Sequence, residues 1–178
     1  RTVFGMSPEQ LTEALRAHVR GRLTYARVNI PPIEPEITVT SLSPAAGTVL
    51  LPALNARFWD QDRVDGPALL QTLRAAAVRF PDDPLALVGA GRAEMRWGDL
   101  AAAETALTAA LERQADNVEG LILMADLATR RAAESDDEAE QDRQLQLARD
   151  FLQRAREADP TDARIYSAQR RYLRSAGW

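Results

Sequence analysis

Cysteine and lysine are both absent from this chain of 178 residues, histidine occurs once, and aromatic residues make up only 6%. Without cysteine there is no disulfide, no thiolate metal site and no thiol nucleophile, and the redox compartment stays open. The missing lysine reflects genome composition rather than function, and it leaves all 22 basic residues as arginines, which offer planar, bidentate donors to carboxylates wherever they cluster. No apolar run approaches the roughly 18 residues of a membrane span. The nine glycines are scattered rather than gathered into a phosphate-binding loop. A net charge of −4 argues against a general nucleic-acid binder, which usually carries an excess of basic charge on one face. His18 has no second histidine with which to share a metal and lies beside an apolar stripe, so it is assigned a surface or helix-packing role.

What the chain has instead is alanine, leucine and a repeat. Leu69, Leu73, Ala76 and Pro81 become Ala103, Leu107, Ala110 and Ala115 at an offset of 34 residues. A third copy, Ala148, Leu152, Ala155 and Pro160, follows after 45, so 11 extra residues lie between copies two and three. An interval in the thirties belongs to a helix-turn-helix repeat, in which each unit buries its apolar face only against its neighbours. The fold class is therefore all-α, a solenoid of helical pairs over 50–178, preceded by a non-repeat helix and an extended arm over 1–49.

The first element is a helix from about Ser7 to Leu23. Ser7-Pro8-Glu9-Gln10 supplies an N-cap, a proline at the first helical position and a capping-box glutamine. Leu11, Leu15, Val19 and Leu23 then form one apolar stripe. Thr24 to Ile30 alternates like a strand, Pro31, Pro32 and Pro35 interrupt it, and Ile37 to Thr40 extends again. A degenerate first unit places helices near Pro52–Asp60 and Pro67–Arg79. The second unit has helices at Pro84–Trp97 and Leu100–Gln114 joined by Gly98-Asp99, and Gly91, Ala103 and Ala110 permit close approach. In the third unit the extra residues fall near 133–143, where six acidic residues cluster as a solvated loop or helix extension and the second helix resumes near Gln144. A last helix over Ala163–Ser175 ends the array, and Gly177 falls in the register of Gly98.

Leu87, Ala90, Gly91, Gly98-Asp99, Ala103, Leu107 and Ala110 stand where tetratricopeptide repeats favour a large residue, a small pair, a turn and a tightly packed core. Over 50–178 the chain resembles that family, which implies a protein-interaction scaffold. Glu94 departs from it in replacing an aromatic, Ala115 a closing proline, and Arg170 a small residue. At the start, Val3-Phe4-Gly5-Met6-Ser7 and the helix after it look like the tail of the metallopeptidase-like domains that precede such repeats in some bacterial envelope proteins. On that resemblance the chain is the non-catalytic C-terminal region of a larger protein, positioning enzyme or substrate, and the periplasm is favoured over the cytoplasm. A start at Arg1 with neither methionine nor signal peptide is what an excised piece would show. The family's H-E-x-x-H motif is absent from the chain, so no catalytic residue is carried over.

No catalytic, cofactor-binding or metal-binding residues are assigned, and no enzyme activity is expected. Adjacent acids such as Asp82-Asp83 and Asp136-Asp137 are ordinarily solvated or cap a helix. The expected site is the concave face of the first helices of successive units, lined by Val88, Arg92, Met95, Arg96, Ile122, Asp126, Arg130, Arg171 and Arg174. An arginine-rich groove suits an acidic peptide segment or a C-terminal carboxylate. For any one of these arginines, solvation or pairing with a nearby acid competes with that role. The arm at 24–49 could itself occupy the groove, and the apolar end near Tyr166, Tyr172 and Trp178 could drive homo-oligomerisation.

Overall fold

A computed structural model describes residues 5–20, 39, 41–58 and 65–177. Among them are eight α-helices and no strand: α1 (Pro8–Arg20), α2 (Ala46–Phe58), α3 (Gly66–Arg79), α4 (Pro84–Trp97), α5 (Leu100–Arg113), α6 (Val118–Glu134), α7 (Glu138–Ala158) and α8 (Ala163–Ser175). The chain divides into two compact units, 1–39 and 40–178. The strands expected over 24–30 and 37–40 lie almost wholly outside the described residues.

In the first unit α1 opens with the capping box read from the sequence. The Ser7 amide donates to Gln10 Oε1 (2.8 Å), and the Gln10 amide donates back to Ser7 Oγ (3.3 Å). No residue of α1 is buried, and Val19 on its apolar stripe is 77% exposed.

The second unit is a stack of helical pairs: α2 with α3, α4 with α5, α6 with α7, and α8 last. Asx residues start six of these helices. Asp65, Asp83, Asp99, Asn117, Asp137 and Asp162 each accept an amide of the first turn on the side chain, which satisfies donors that the helix itself cannot. Much of the acidic surplus is therefore structural. Three unit boundaries share one tight turn, in which Asp83, Asn117 and Asp162 donate their amides to the carbonyls of Phe80, Gln114 and Asp159. Ala115 occupies the place of Pro81 and Pro160 in that turn, so the missing proline costs rigidity but not the turn.

Two sequence boundaries move. α2 starts at Ala46, six residues before Pro52, which sits inside the helix. The Asp83 carboxylate fixes this earlier start by accepting the Ala45 amide at 3.0 Å while Oδ1 caps α4. The 11-residue excess is also almost entirely helical. α6 has 17 residues against 14 in α4, and α7 has 21 against 14 in α5. The remaining residue widens the turn, and Glu138 and Glu140 fall in the first turn of α7, where the helix dipole favours negative charge.

The core has two parts with α4 as their shared wall. Toward α2 and α3, Ala86 and Ala93 of α4 meet Val49, Ala56, Leu70 and Leu73. Toward α5 to α8, Leu87, Val88 and Met95 join a larger cluster with Leu107, Leu121, Leu127, Phe151 and Ile165. Gly91 makes the close pairing of α4 and α5 possible, because a Cβ there would lie 2.6 Å from Leu107 Cγ.

Candidate functional site

Helices α2, α4, α6 and α8 are successive neighbours, and the residues expected to line their common face divide into three groups. Val88, Met95 and Ile122 are 4%, 7% and 6% exposed and belong to the core. Their regular spacing marked one side of each helix, and that side turns out to be covered.

The arginines form the second group, and most of them stitch one helix to the next. Arg92 of α4 donates to Glu119 of α6 through Nη2 (2.7 Å) and Nε (3.2 Å). Glu119 also accepts Arg164 of α8 at 3.0 Å and lies 3.9 Å from Arg57 of α2. Burial works to raise the Glu119 carboxyl, but Arg92, Arg57 and Arg164 outweigh it and hold the group below the usual carboxylate range. Arg164 in turn chelates Asp162, which lowers the Asp162 carboxyl and raises the Arg164 guanidinium. Asp126 of α6 receives Arg171 of α8 bidentately, Oδ2 from Nη2 at 2.7 Å and Oδ1 from Nε at 3.1 Å. Arg96 and Arg130, 34 residues apart, do something different. Each donates Nη1 to a carbonyl in the last turn of the preceding inner helix, Ala56 at 2.7 Å and Met95 at 2.6 Å. Arg96 also lies over the Trp97 ring, 5.0 Å from its centroid.

The third group is what remains accessible. Asp126, Arg130, Arg171 and Arg174 converge with Thr129 on a cleft of about 270 Å³ between α6 and α8. The Arg174 guanidinium has no hydrogen-bond or ion-pair partner among the described residues and presents its charge to solvent there.

Glu119, Arg57 and Arg164 were not anticipated. A signal existed: Glu119 and Arg164 are 45 residues apart with opposite charge, as are Asp126 and Arg171, so each pair holds one register in neighbouring inner helices. Glu94 was noticed only as a misfit. It is 4% exposed, takes Nε and Nη2 of Arg74 from α3 on its two oxygens (2.5 and 2.8 Å), and accepts the Asp99 amide at the turn. The hydrogen bond from Arg74 holds its carboxyl below the usual range. No described helix is long and apolar enough to cross a membrane. No protein-family model matches the chain, and no curated protein matches it.

Proposed function

We propose that this chain is a protein-interaction module of the tetratricopeptide type, which holds a peptide segment along its inner helices and anchors an acidic group of that segment between α6 and α8. The observation that carries this reading is the meeting of four expected residues, Asp126, Arg130, Arg171 and Arg174, in one cleft where Arg174 lacks an acidic partner. The other inner-face arginines hold the helices in place. This makes the surface preformed, so a peptide is ordered on it at little cost to the protein. A carboxylate presented there would gain a charge-assisted hydrogen bond from Arg174 and the positive field of Arg130, while Asp126 offsets the charge of Arg171, its ion-pair partner.

The test is selection of peptides with free C termini from a random display library, followed by binding of the selected sequences to the wild type and to Arg174→Glu. Enrichment of acidic peptides that lose binding to the folded variant supports the reading. No enrichment, or equal binding to both proteins, removes it.

A further inference from the structure

The cleft between α6 and α8 carries more positive charge than one carboxylate can balance. Three guanidiniums, those of Arg130, Arg171 and Arg174, line it against the single carboxylate of Asp126, a surplus of two charges. Elsewhere on the inner face Arg92 and Arg164 meet Glu119 and Asp162 charge for charge. Donors remain as well as charge. Arg171 gives Nε and Nη2 to Asp126 and keeps Nη1, while Arg130 gives Nη1 to the Met95 carbonyl and keeps Nε and Nη2. The Arg174 guanidinium gives nothing to any described residue. The volume of the cleft, about 270 Å³, equals the share of roughly nine water molecules, enough for a tetrahedral anion and the side chain that carries it.

We infer that the group anchored here is a phosphorylated side chain of the partner segment, a phosphoserine or phosphothreonine rather than a carboxylate. The inference rests on the reading of the cleft as a peptide anchor and names the chemistry of that anchor. A phosphate monoester carries nearly two negative charges at pH 7 and three acceptor oxygens, which matches the surplus of two and the three arginines. A carboxylate carries one charge and two oxygens and would leave one guanidinium uncompensated. Asp126 sets the surplus. It fixes Arg171 and cancels one charge of three, so neutralising it should strengthen the hold on a dianion.

The probe is a rhodamine-labelled peptide of glycine and alanine with one central phosphoserine and an amidated C terminus. Its binding to the whole chain is followed by fluorescence anisotropy beside the same peptide with glutamate in that place. The phosphoserine peptide should bind at least about tenfold tighter than the glutamate peptide, the folded Asp126→Asn variant should tighten it further by about threefold, and Arg174→Glu should abolish the difference. Between pH 7 and pH 5 the phosphate regains its second proton, whose pKa is about 6, so the phosphoserine peptide should weaken about tenfold while the glutamate peptide changes by less than about twofold. No histidine lines the cleft to add a titration of its own in that interval. Equal binding of the two peptides, or a phosphoserine affinity indifferent to pH or to Asp126→Asn, overturns the inference. So does no binding of the phosphoserine peptide, and the display selection, run beside it, shows separately whether the cleft takes any acidic peptide. Inorganic phosphate that displaces the probe with the peptide's own affinity overturns it too, because the ligand is then the free anion.

Discussion

Glu94 is a buried acid inside the repeat, and its surroundings explain how it is tolerated there. Both oxygens are occupied, by Arg74 and by the Asp99 amide. Gly98 leaves room for it, since a Cβ at that position would lie 1.9 Å from Glu94 Oε2. Glu94→Ala should therefore destabilise the protein by about 1–3 kcal/mol through the orphaned turn amide and the lost pair. Arg74→Ala should cost at least as much, although half of the Arg74 side chain is in water, because it leaves the buried Glu94 carboxylate without its counter-charge. Chemical denaturation of the double-mutant cycle measures the coupling, and additive losses would show that the pair does not act as a unit. Glu119 supports a prediction in pH. Its folded carboxyl is held below the ordinary value, so its contribution is complete above the unfolded-state pKa, about 4.3, and is lost as pH falls through the folded value. Glu119→Gln should be less stable than wild type at pH 7, by about 1 kcal/mol for a group that is one-third exposed, and that gap should close on acidification. Urea midpoints at pH 7 and below pH 4 check the sign.

Among the elements, α7 was expected from near Gln144 and starts at Glu138, but α3, α4, α5 and α8 were legible in the sequence almost to the residue, because an Asx cap and a 3.6-residue apolar period coincide in them. α2 was not. Its true start depends on Asp83 accepting the Ala45 amide, a contact across 38 residues that no local pattern contains, and Pro52 gave a misleading start signal. The same interaction yields a test. Asp83→Ala removes the cap of α4 and strands a buried amide, so it should cost about 1–3 kcal/mol, and amide hydrogen exchange at Ala45 should accelerate by more than the global change explains. Equal acceleration at all amides would mean that Asp83 serves α4 alone. The site was legible only in part. Spacing placed the arginines on one face, but spacing holds no information on whether an arginine faces a ligand, a neighbouring acid or a carbonyl.

For the 40–178 unit as a whole, the two core clusters differ in substance. The cluster around α2 and α3 is largely alanine, with Leu70, Leu73 and Val49 as its bulk, whereas the one spanning α5 to α8 is rich in leucine, isoleucine and methionine. In a stacked array each helical pair answers mainly to its neighbours. Leu73→Ala, at a fully buried position, should cost about 2–5 kcal/mol and expose α2 and α3 to exchange while α6 and α7 remain protected. Leu121→Ala should instead release both halves together, because it weakens the wall on which the smaller cluster leans. Native-state hydrogen exchange separates the two, and identical protection patterns would mean that the unit opens only globally.

Arg96 and Arg130 carry one more implication, for how such a chain can change over generations. Each grips a main-chain oxygen, and every amino acid supplies one. Substitutions at Ala56 or Met95 therefore cannot delete the acceptor, whereas a carboxylate partner such as Glu119 can be lost in a single step. A unit that carries this arginine brings the donor, and the unit before it already has the receiver, while α8 has Ser175 in that register and does without the grip. At this contact units can be added, removed or shuffled without the two sides having to coevolve, whereas the Arg92–Glu119 and Asp126–Arg171 pairs of the same junctions require matched partners.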